Sequence, residues 1–479
     1  MKLTHLKSFT SPRTISKDSS SISRNQSKVT SLCYSPDGDR LAVATADRTI
    51  SLYNDQGEVV DKFNTKPNGD GPKDYLITAI QFGPEIEQPK LAVAQSDAII
   101  FVYKWKVLDS KPIVQRGLST NSSKWDAKKS ICNKFHEEST ISSLVWSRKD
   151  PFLLVYGTME GKVRIGNVLD NKAKTLFKFD VAVVSLAFNL ETTEILSGHA
   201  DGTIYRFTFP TNSKSASCIK IVNTLTVPYA LSWGKSICVC GINSNIMFYN
   251  EDGQELQCFT QNDLSDCIDT FTNEEASARC YLTTASCSPT GDVVIVGSFN
   301  CFYVFCWDSK QRSWEEKAIT IVKNMYNVTA ISWKPNGSAL VVGTSSGLID
   351  RYDAAYQQYT YKDTYVITYV TPSQILVHDK YGINSSPALI QSAKGEILKI
   401  KIYHDPVTTT LRYLVARTKH SIIFCDLECP NAVTSEVKWP NDQKSKEKFI
   451  FDAANACIIS NSGELSIVEV SFEWLKTKH

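Results

Sequence analysis

The chain has 479 residues, of which 42% are hydrophobic and 21% are charged; this composition is typical of a soluble globular protein and excludes a disordered one. Its formal net charge of +2 gives no strong basic field of the kind that attracts nucleic acid or an anionic membrane. The sequence has no uninterrupted apolar run approaching about twenty residues, so it predicts no transmembrane helix.

The N-terminal segment combines a short apolar pattern with a polar stretch. Leu3, Leu6 and Phe9 are spaced as buried residues, which predicts a strand at 3–9. Residues 11–27 are rich in Ser, Arg and Lys and indicate a surface loop.

A repeated unit begins near Lys28 and recurs seven times up to about Thr364. Each unit has a β-branched strand, a Pro/Gly/Asp turn, an apolar strand ending in small residues, a tight hairpin and two more strands. We name these strands a to d. The b–c hairpin turns fall at residues 47, 97, 160, 201, 243, 300 and 346. A period of about 40 to 60 residues suits a four-stranded propeller blade with variable loops.

The repeat predicts an all-β fold with a seven-bladed propeller at 1–364, followed by an incomplete second propeller at 365–479 that contributes about three blades. Residues 3–9 are expected to supply the outer strand of the last blade and so close the ring, whereas 11–27 and 106–129 are expected to be loop insertions. The small residues ending strand b are attributed to crowding around a narrow central channel.

The stretch LSGHADGTIYRF, at 196–207, places His199 and Asp201 between two glycines. In isolation the pair could be a general base or a metal ligand. In the structural alternative, Asp201 bonds backbone N–H groups of a hairpin while Gly202 takes a positive φ. Because Asp47 and Asp97 recur at the same place in the repeat, the architectural interpretation is favoured.

The remaining residues that could carry chemistry are dispersed. The sequence contains neither HExxH nor a P-loop. His136 is followed by Glu137 and Glu138, which favours a solvated loop over a metal cluster, and Cys425 and Cys429 have no second pair at zinc-site spacing. We therefore expect no catalytic site, no metal and no cofactor.

The units resemble WD40 repeats, and HADGTIYRF is similar to the b–c hairpin of that family, whose Asp belongs to a buried hydrogen-bond tetrad. The residues at the family's Asp and Trp positions imply an incomplete tetrad, since the aromatics here lack an indole N–H. The predicted turn residues are Asp47, Asp97, Asp201, Gly202, Asn243 and Gly347, and the strand-c aromatics are Tyr53, Tyr103, Phe207, Tyr249 and Tyr352.

Nine segments in order along the chain resemble the N-terminal propeller region of the intraflagellar transport protein 172 family, among them LSGHADGTI and TYVTPSQILV. That family has two tandem propellers before a long helical region and belongs to intraflagellar transport complex B. The resemblance implies a non-catalytic scaffold that binds other complex B subunits through its propeller faces. It also implies a role in cilium assembly and transport along axonemal microtubules, and a location in the cilium or flagellum, the ciliary base and the cytoplasm.

Two other functions remain open, namely a vesicle-coat subunit with tandem propellers and a WD40 substrate receptor. The expected partners are proteins, with no nucleic acid and no transmembrane segment; a peripheral membrane contact is open but has no sequence support. His199, Arg48 and Glu160 are the candidate partner surface on the face of the b–c turns.

Overall fold

The computed structural model describes residues 2–10, 27–69, 74–108, 124–210, 216–242, 245–260, 281–308, 311–322, 325–355, 357–362, 364–371, 373–380, 387–392, 397–404, 412–418, 421–427, 434–438, 448–452, 455–459 and 465–469. These residues form strands, turns and irregular segments and contain no helix. The chain divides into two compact units, at 3–354 and 355–479. The predicted all-β fold is thus confirmed.

Seven antiparallel sheets of four strands make up the first unit. In six of them the strands follow chain order from a to d, and in the seventh strand d is the N-terminal strand β1. The strands are β1 (Lys2–Thr10), β2 (Val29–Tyr34), β3 (Leu41–Thr45), β4 (Thr49–Tyr53), β5 (Val59–Asn64), β6 (Ile77–Phe82), β7 (Lys90–Gln95), β8 (Ile99–Leu108), β9 (Lys124–His136), β10 (Ile141–Trp146), β11 (Leu153–Thr158), β12 (Lys162–Asn167), β13 (Lys172–Lys178), β14 (Val183–Phe188), β15 (Glu194–His199), β16 (Thr203–Thr208), β17 (Ser217–Asn223), β18 (Ala230–Trp233), β19 (Ile237–Cys240), β20 (Ile246–Tyr249), β21 (Glu255–Phe259), β22 (Thr284–Cys287), β23 (Val293–Gly297), β24 (Cys301–Asp308), β25 (Ser313–Ile321), β26 (Val328–Trp333), β27 (Ala339–Thr344) and β28 (Leu348–Ala355).

The seven sheets form a closed ring of blades. Each strand a packs against strand a of the next blade, from β2 through β6, β10, β14, β18 and β22 to β26, which returns to β2. A separate apolar core fills every junction between neighbouring blades, including the junction of the seventh blade with the first. Because both faces of a blade are covered, strand b is buried throughout, as in β3, while the outer strand β5 is largely exposed.

Small residues near the end of strand b allow the next blade to approach closely. A Cβ built on Gly157 would lie 2.5 Å from Val183 Cγ1, and one built on Gly343 would lie 2.7 Å from Val29 Cγ1. In both cases the valine is the first residue of strand a in the following blade. Crowding around the central channel was the expected reason for these small residues; in the structure their close neighbours belong to the adjacent blade.

The N-terminal strand β1 is hydrogen-bonded to β28 as the outer strand of the seventh blade. Leu3 packs against the core between blades six and seven, and Phe9 packs against the core between blades seven and one. Residues 3–9, which the sequence assigned to the closing strand, lie within β1. The strand therefore buries apolar side chains at two junctions.

Polar contacts reinforce the junction of the seventh blade with the first. Asp55, in the c–d turn of the first blade, lies 3.0 Å from Lys334 Nζ, and its backbone carbonyl accepts a 2.5 Å hydrogen bond from Arg351 Nη1. Within the seventh blade itself, His5 Nε2 of β1 lies 3.6 Å from the buried carboxylate of Asp350 in β28. The closing junction thus combines an apolar core with charged contacts.

The second unit contains three antiparallel sheets, two of four strands and one of three. A buried apolar core joins the two four-stranded sheets. The strands are β29 (Gln357–Tyr361), β30 (Tyr365–Thr371), β31 (Gln374–Asp379), β32 (Ala388–Gln391), β33 (Lys399–His404), β34 (Arg412–Arg417), β35 (Ser421–Asp426), β36 (Thr434–Lys438), β37 (Lys448–Asp452), β38 (Asn455–Ile459) and β39 (Leu465–Glu469).

Two of the expected boundaries differ from the structure. The units divide between Ala354 and Ala355 rather than at 364, because β29 pairs with β30 in the second unit. Part of the expected insertion at 106–129 is strand, since β8 extends to Leu108 and β9 begins at Lys124. Residues 109–123 and 11–26 lie outside the described residues.

The contact between Gly343 and Val29 leads to a test of ring closure. We expect Gly343→Ala to destabilise the protein by about 1–3 kcal/mol, because the added Cβ overlaps Val29 and Leu32. Val29→Ala removes the methyl groups that the new Cβ would meet, so the double variant should lose less than the sum of the two single losses. Urea unfolding measures all three free energies. Gly157→Ala combined with Val29→Ala is the matched control and should be additive, since Gly157 faces Val183 instead; additivity in both pairs would contradict the proposed contact.

Candidate functional site

The b–c turns and the d–a connections lie together on one face of the ring, since every blade has the same strand order and orientation. We name this face the b–c face. The turns after β3, β7, β15 and β27 carry Asp47, Asp97, Asp201 and Gly347 respectively. Asn243, which was assigned to the fifth turn, lies outside the described residues.

One backbone position with positive φ recurs in these turns. Gly202 has φ +87°, Gly347 has φ +82° and Gly161 has φ +83°, whereas Arg48 and Ala98 adopt φ +66° and +63° at the equivalent place. Left-handed backbone is strained for residues with a Cβ and favours glycine. The geometry of the hairpin is therefore retained even where glycine is absent.

The aspartates of these turns are used within the fold. The backbone N–H of Thr203 donates a 3.0 Å hydrogen bond to Asp201 Oδ1, and the hydroxyl of Thr45 donates to Asp47. Asp97 Oδ2 accepts a 2.8 Å hydrogen bond from the backbone N–H of Asn68, in the connection from the preceding blade. These contacts fix the turns and tie the turn of the second blade to the d–a connection that precedes that blade.

The strand-c aromatics all lie in the cores between blades. Burial raises the pKa of Tyr53 to about 12 and that of Tyr249 to about 12. Within the described part of the chain, the buried hydroxyl groups of Tyr103 and Tyr352 have no hydrogen-bond partner. Phe207 has no hydroxyl group and so cannot form a side-chain hydrogen bond. These residues act through packing, and they do not complete a hydrogen-bond network of the kind that the WD40 resemblance associates with Trp.

His199 was expected on the partner surface, and the structure contradicts this. It is the last residue of β15 and is completely buried, in ring contact with Phe179 and Tyr205. Its Nδ1 lies 3.1 Å from the carbonyl oxygen of Val181, which can only accept, so Nδ1 carries the proton. Nε2 then accepts from Ser197 Oγ at 3.0 Å.

The physical reason for this placement is the length of strand b. The blade extends one residue further than the turn-based alignment implied, because His199 still pairs with Val183 of β14. Burial lowers the pKa of His199, although the hydrogen bond to Val181 and the charge of Asp201 act in the opposite direction. The imidazole is therefore a neutral core group.

The other two surface candidates differ from one another. Arg48 is partly buried, and its guanidinium lies over the Tyr75 ring at 5.6 Å from the centroid. Glu160 is exposed and pairs with Lys162 at 2.8 Å, a contact that lowers the pKa of its carboxyl group. Glu160 is thus the candidate that remains on the open surface.

The b–c face also carries a set of exposed apolar side chains that was not predicted from the sequence. They occupy d–a connections and b–c turns, where solvent-facing residues are usually polar, and that departure was a signal available in the sequence. Leu225 is fully exposed, at 101%. The set is Leu76, Met159, Leu225, Tyr229, Ile242, Tyr281 and Tyr326.

Three members of this set are held next to one another by the backbone. The N–H of Ile242 donates a 3.1 Å hydrogen bond to Thr226 Oγ1, next in sequence to Leu225. The N–H of Leu282, next to Tyr281, donates a 3.1 Å hydrogen bond to the carbonyl of Gly241. We name Leu225, Ile242 and Tyr281 the apolar cluster. It lies around the b–c turn of the fifth blade.

Residues that might have suggested catalysis have structural roles. Glu137 is buried; it accepts a 2.6 Å hydrogen bond from the Tyr156 hydroxyl and pairs with Arg164 at 2.7 Å. The described residues contain no cluster of His, Cys, Asp and Glu that could hold a metal ion.

The stretch GTSSG at 343–347 has the spacing of a hydrolase nucleophile motif. That motif needs a strand-to-helix elbow to expose its serine. Here the stretch joins β27 to β28, both of them strands. Ser345 therefore lacks the geometry that the motif requires.

Comparisons with known proteins agree with this fold. Residues 14–85 match the family model "Anaphase-promoting complex subunit 4 WD40 domain". The chain is 36% identical to intraflagellar transport protein 172 of Chlamydomonas reinhardtii over 92% of its own length and 23% of that protein. It is 35% identical to the Homo sapiens homolog over 98% of its own length and 24% of that protein.

A third relative is intraflagellar transport protein osm-1 of Caenorhabditis elegans, 31% identical over 95% of this chain and 24% of that protein. The resemblance to the intraflagellar transport protein 172 family is confirmed. The chain spans about a quarter of the length of these relatives. In the part of the chain that the structure describes, there is no helix long and apolar enough to cross a membrane.

The burial of His199 predicts a pH dependence of stability. Its folded-state pKa is lowered, so the neutral ring's contribution is present above the unfolded-state value of about 6.5 and is lost as the pH falls through the folded-state pKa. We expect the free energy of unfolding to decrease as the pH is lowered from 7.5 to about 5. This residue contributes at most about 1.4 kcal/mol per pH unit to that slope. The decrease is measured as a lower thermal unfolding midpoint.

The variant His199→Asn should flatten this slope over the same range. His136→Asn is the control, because His136 is exposed and should leave the slope unchanged. Equal slopes in the wild type and the His199 variant would show that His199 does not titrate as a buried neutral group.

Proposed function

We propose that this chain is the propeller region of a non-catalytic scaffold subunit of intraflagellar transport complex B. In this proposal it binds other subunits of the complex and works in the cilium or flagellum, at the ciliary base and in the cytoplasm, where it supports cilium assembly and transport along axonemal microtubules. The names of its relatives, over almost all of this chain, support the process.

The observation that carries the binding function is the apolar cluster. Leu225 is fully exposed, and Ile242 and Tyr281 are each about half exposed. Exposed apolar side chains that lie together mark protein-binding surfaces, and large side chains at the centre of such a surface supply much of the affinity. Fewer exposed apolar side chains lie on the opposite face, among them Ile86 and Leu169.

The chemistry of the b–c face favours a protein partner. Aromatic and aliphatic side chains are mixed there with the Glu160–Lys162 ion pair, an apolar and polar combination typical of non-obligate interfaces. The net charge of +2 gives no electrostatic reason to favour nucleic acid. A subunit that presents an apolar patch with a polar rim is the partner this surface fits.

Co-purification from ciliated cells tests the proposal. The tagged full chain is expressed, captured and analysed by mass spectrometry, and we expect complex B subunits among the recovered proteins. Leu225→Glu should reduce their recovery at least about tenfold, because it replaces the most exposed side chain of the apolar cluster with a charge. Its matched control is Leu169→Glu, the same substitution of an exposed leucine in a c–d turn on the other face.

The possible outcomes test the proposed function and the choice of binding face separately. Recovery of vesicle-coat subunits or of ubiquitin-ligase adaptors, without complex B subunits, would overturn the proposed function. Recovery of complex B subunits that is lost with Leu169→Glu and kept with Leu225→Glu would contradict the choice of face.

A further inference from the structure

The face opposite the b–c face carries a polar cavity at the mouth of the central channel. Its volume is about 200 Å³, and it is lined by residues at the ends of strands a and in the a–b turns that follow. Strands β6, β10, β14, β18 and β22 all contribute, so the cavity spans five of the seven blades. The apolar cluster has no residue in it.

Arg148 contributes a cation to this cavity. It follows β10 in the a–b turn of the third blade, and although solvent reaches its side chain, the surrounding wall lowers its pKa. A guanidinium keeps its charge even so. Within the described residues, Arg148 forms no hydrogen bond or ion pair.

The carboxylates of the neighbouring turns have other partners. Glu191 pairs with Lys149, Asp150 Oδ1 accepts a 2.8 Å hydrogen bond from the N–H of Phe152, and Asp292 lies 4.0 Å from Lys235 Nζ. A thiolate at Cys287 would raise the pKa of Arg148. Burial raises the pKa of that thiol to about 12, so it stays protonated and supplies no negative charge.

Neutral donors also line the cavity. Gln81 Oε1 accepts a 3.0 Å hydrogen bond from the N–H of Trp146, which leaves its amide nitrogen as a donor. The hydroxyl groups of Ser232 and Ser286 belong to strands β18 and β22 and also line the cavity. Donors therefore come from four different blades.

We propose that this cavity binds a small phosphate-bearing anion through Arg148. A guanidinium that lines a cavity and has no counterion is stabilised by an oxyanion, and charge-assisted hydrogen bonds are the strongest available there. Donors arranged around the cavity wall suit a tetrahedral phosphate, whose oxygens accept from several directions. A planar carboxylate accepts mainly within one plane and would use fewer of them.

Isothermal titration of the full chain with inorganic phosphate, and with pyrophosphate, tests this site. We expect saturable binding of at least one of the two probes, and at least about a tenfold loss of affinity in Arg148→Gln. Arg148→Lys keeps the charge without the planar donor fork, so its affinity should lie between those of the wild type and Arg148→Gln. Circular dichroism shows whether each variant folds, and if Arg148→Gln does not, Arg148→Lys carries the comparison.

Lys149→Ala is the matched control, since Lys149 is the next residue and pairs with Glu191 outside the cavity. It should bind phosphate as the wild type does. Three results would overturn the proposal: no saturable binding, equal losses in the Lys149 and Arg148 variants, or binding of acetate as tight as that of phosphate at the same ionic strength. The last result would assign the site to carboxylates, such as acidic side chains of a protein.

Discussion

The close approach of strand b to strand a of the next blade, at three of the junctions, is the constraint on which the ring depends. Gly157 faces Val183, Gly297 faces Val328 and Gly343 faces Val29 across three different junctions. The absence of a side chain on one blade lets a β-branched side chain of the next blade come within van der Waals contact. Interiors are packed too densely to absorb an extra methyl group at such places without a shift of the backbone.

This constraint makes closure a cooperative property of the whole first unit. A blade buries neither of its faces alone, so its stability comes from two neighbouring junctions. The junction between the seventh blade and the first uses the same glycine and valine pair, and it is then covered by β1, whose Leu3 and Phe9 enter two different cores. The segment furthest from blade seven in sequence is thus the one that completes it.

The repeat could be predicted from the sequence because alternation and turn residues are local signals. The seven b–c turns follow from Asp47, Asp97, Asp201 and their equivalents, and the fold class follows from their spacing. The burial of His199 could not, since it depends on where β15 stops pairing with β14 and on the rings of Phe179 and Tyr205 that enclose it. The positive φ of Arg48 and Ala98 could not be predicted either, because neither residue type indicates left-handed backbone.

The candidate site was predicted in outline only. The sequence indicated a face through its turns, yet the exposed apolar residues of this face lie mostly in the d–a connections, which vary in length between units and so fall outside any repeat alignment. Leu225 and Tyr281 are examples. Arg148 shows the same limit, because an arginine in the a–b turn SRKDP is an ordinary solvated residue until the ring directs that turn toward its axis.

The two faces of the propeller present different chemistry because strand a has different ends. It begins at the b–c face with a buried β-branched residue, such as Val29 or Val183, that packs against the preceding blade. It ends at the other face beside polar residues such as Ser232 and Ser286, which line the cavity. A protein bound to the apolar cluster and an anion bound at Arg148 would therefore share no residue. Any influence of one on the other would have to pass through the strands between them.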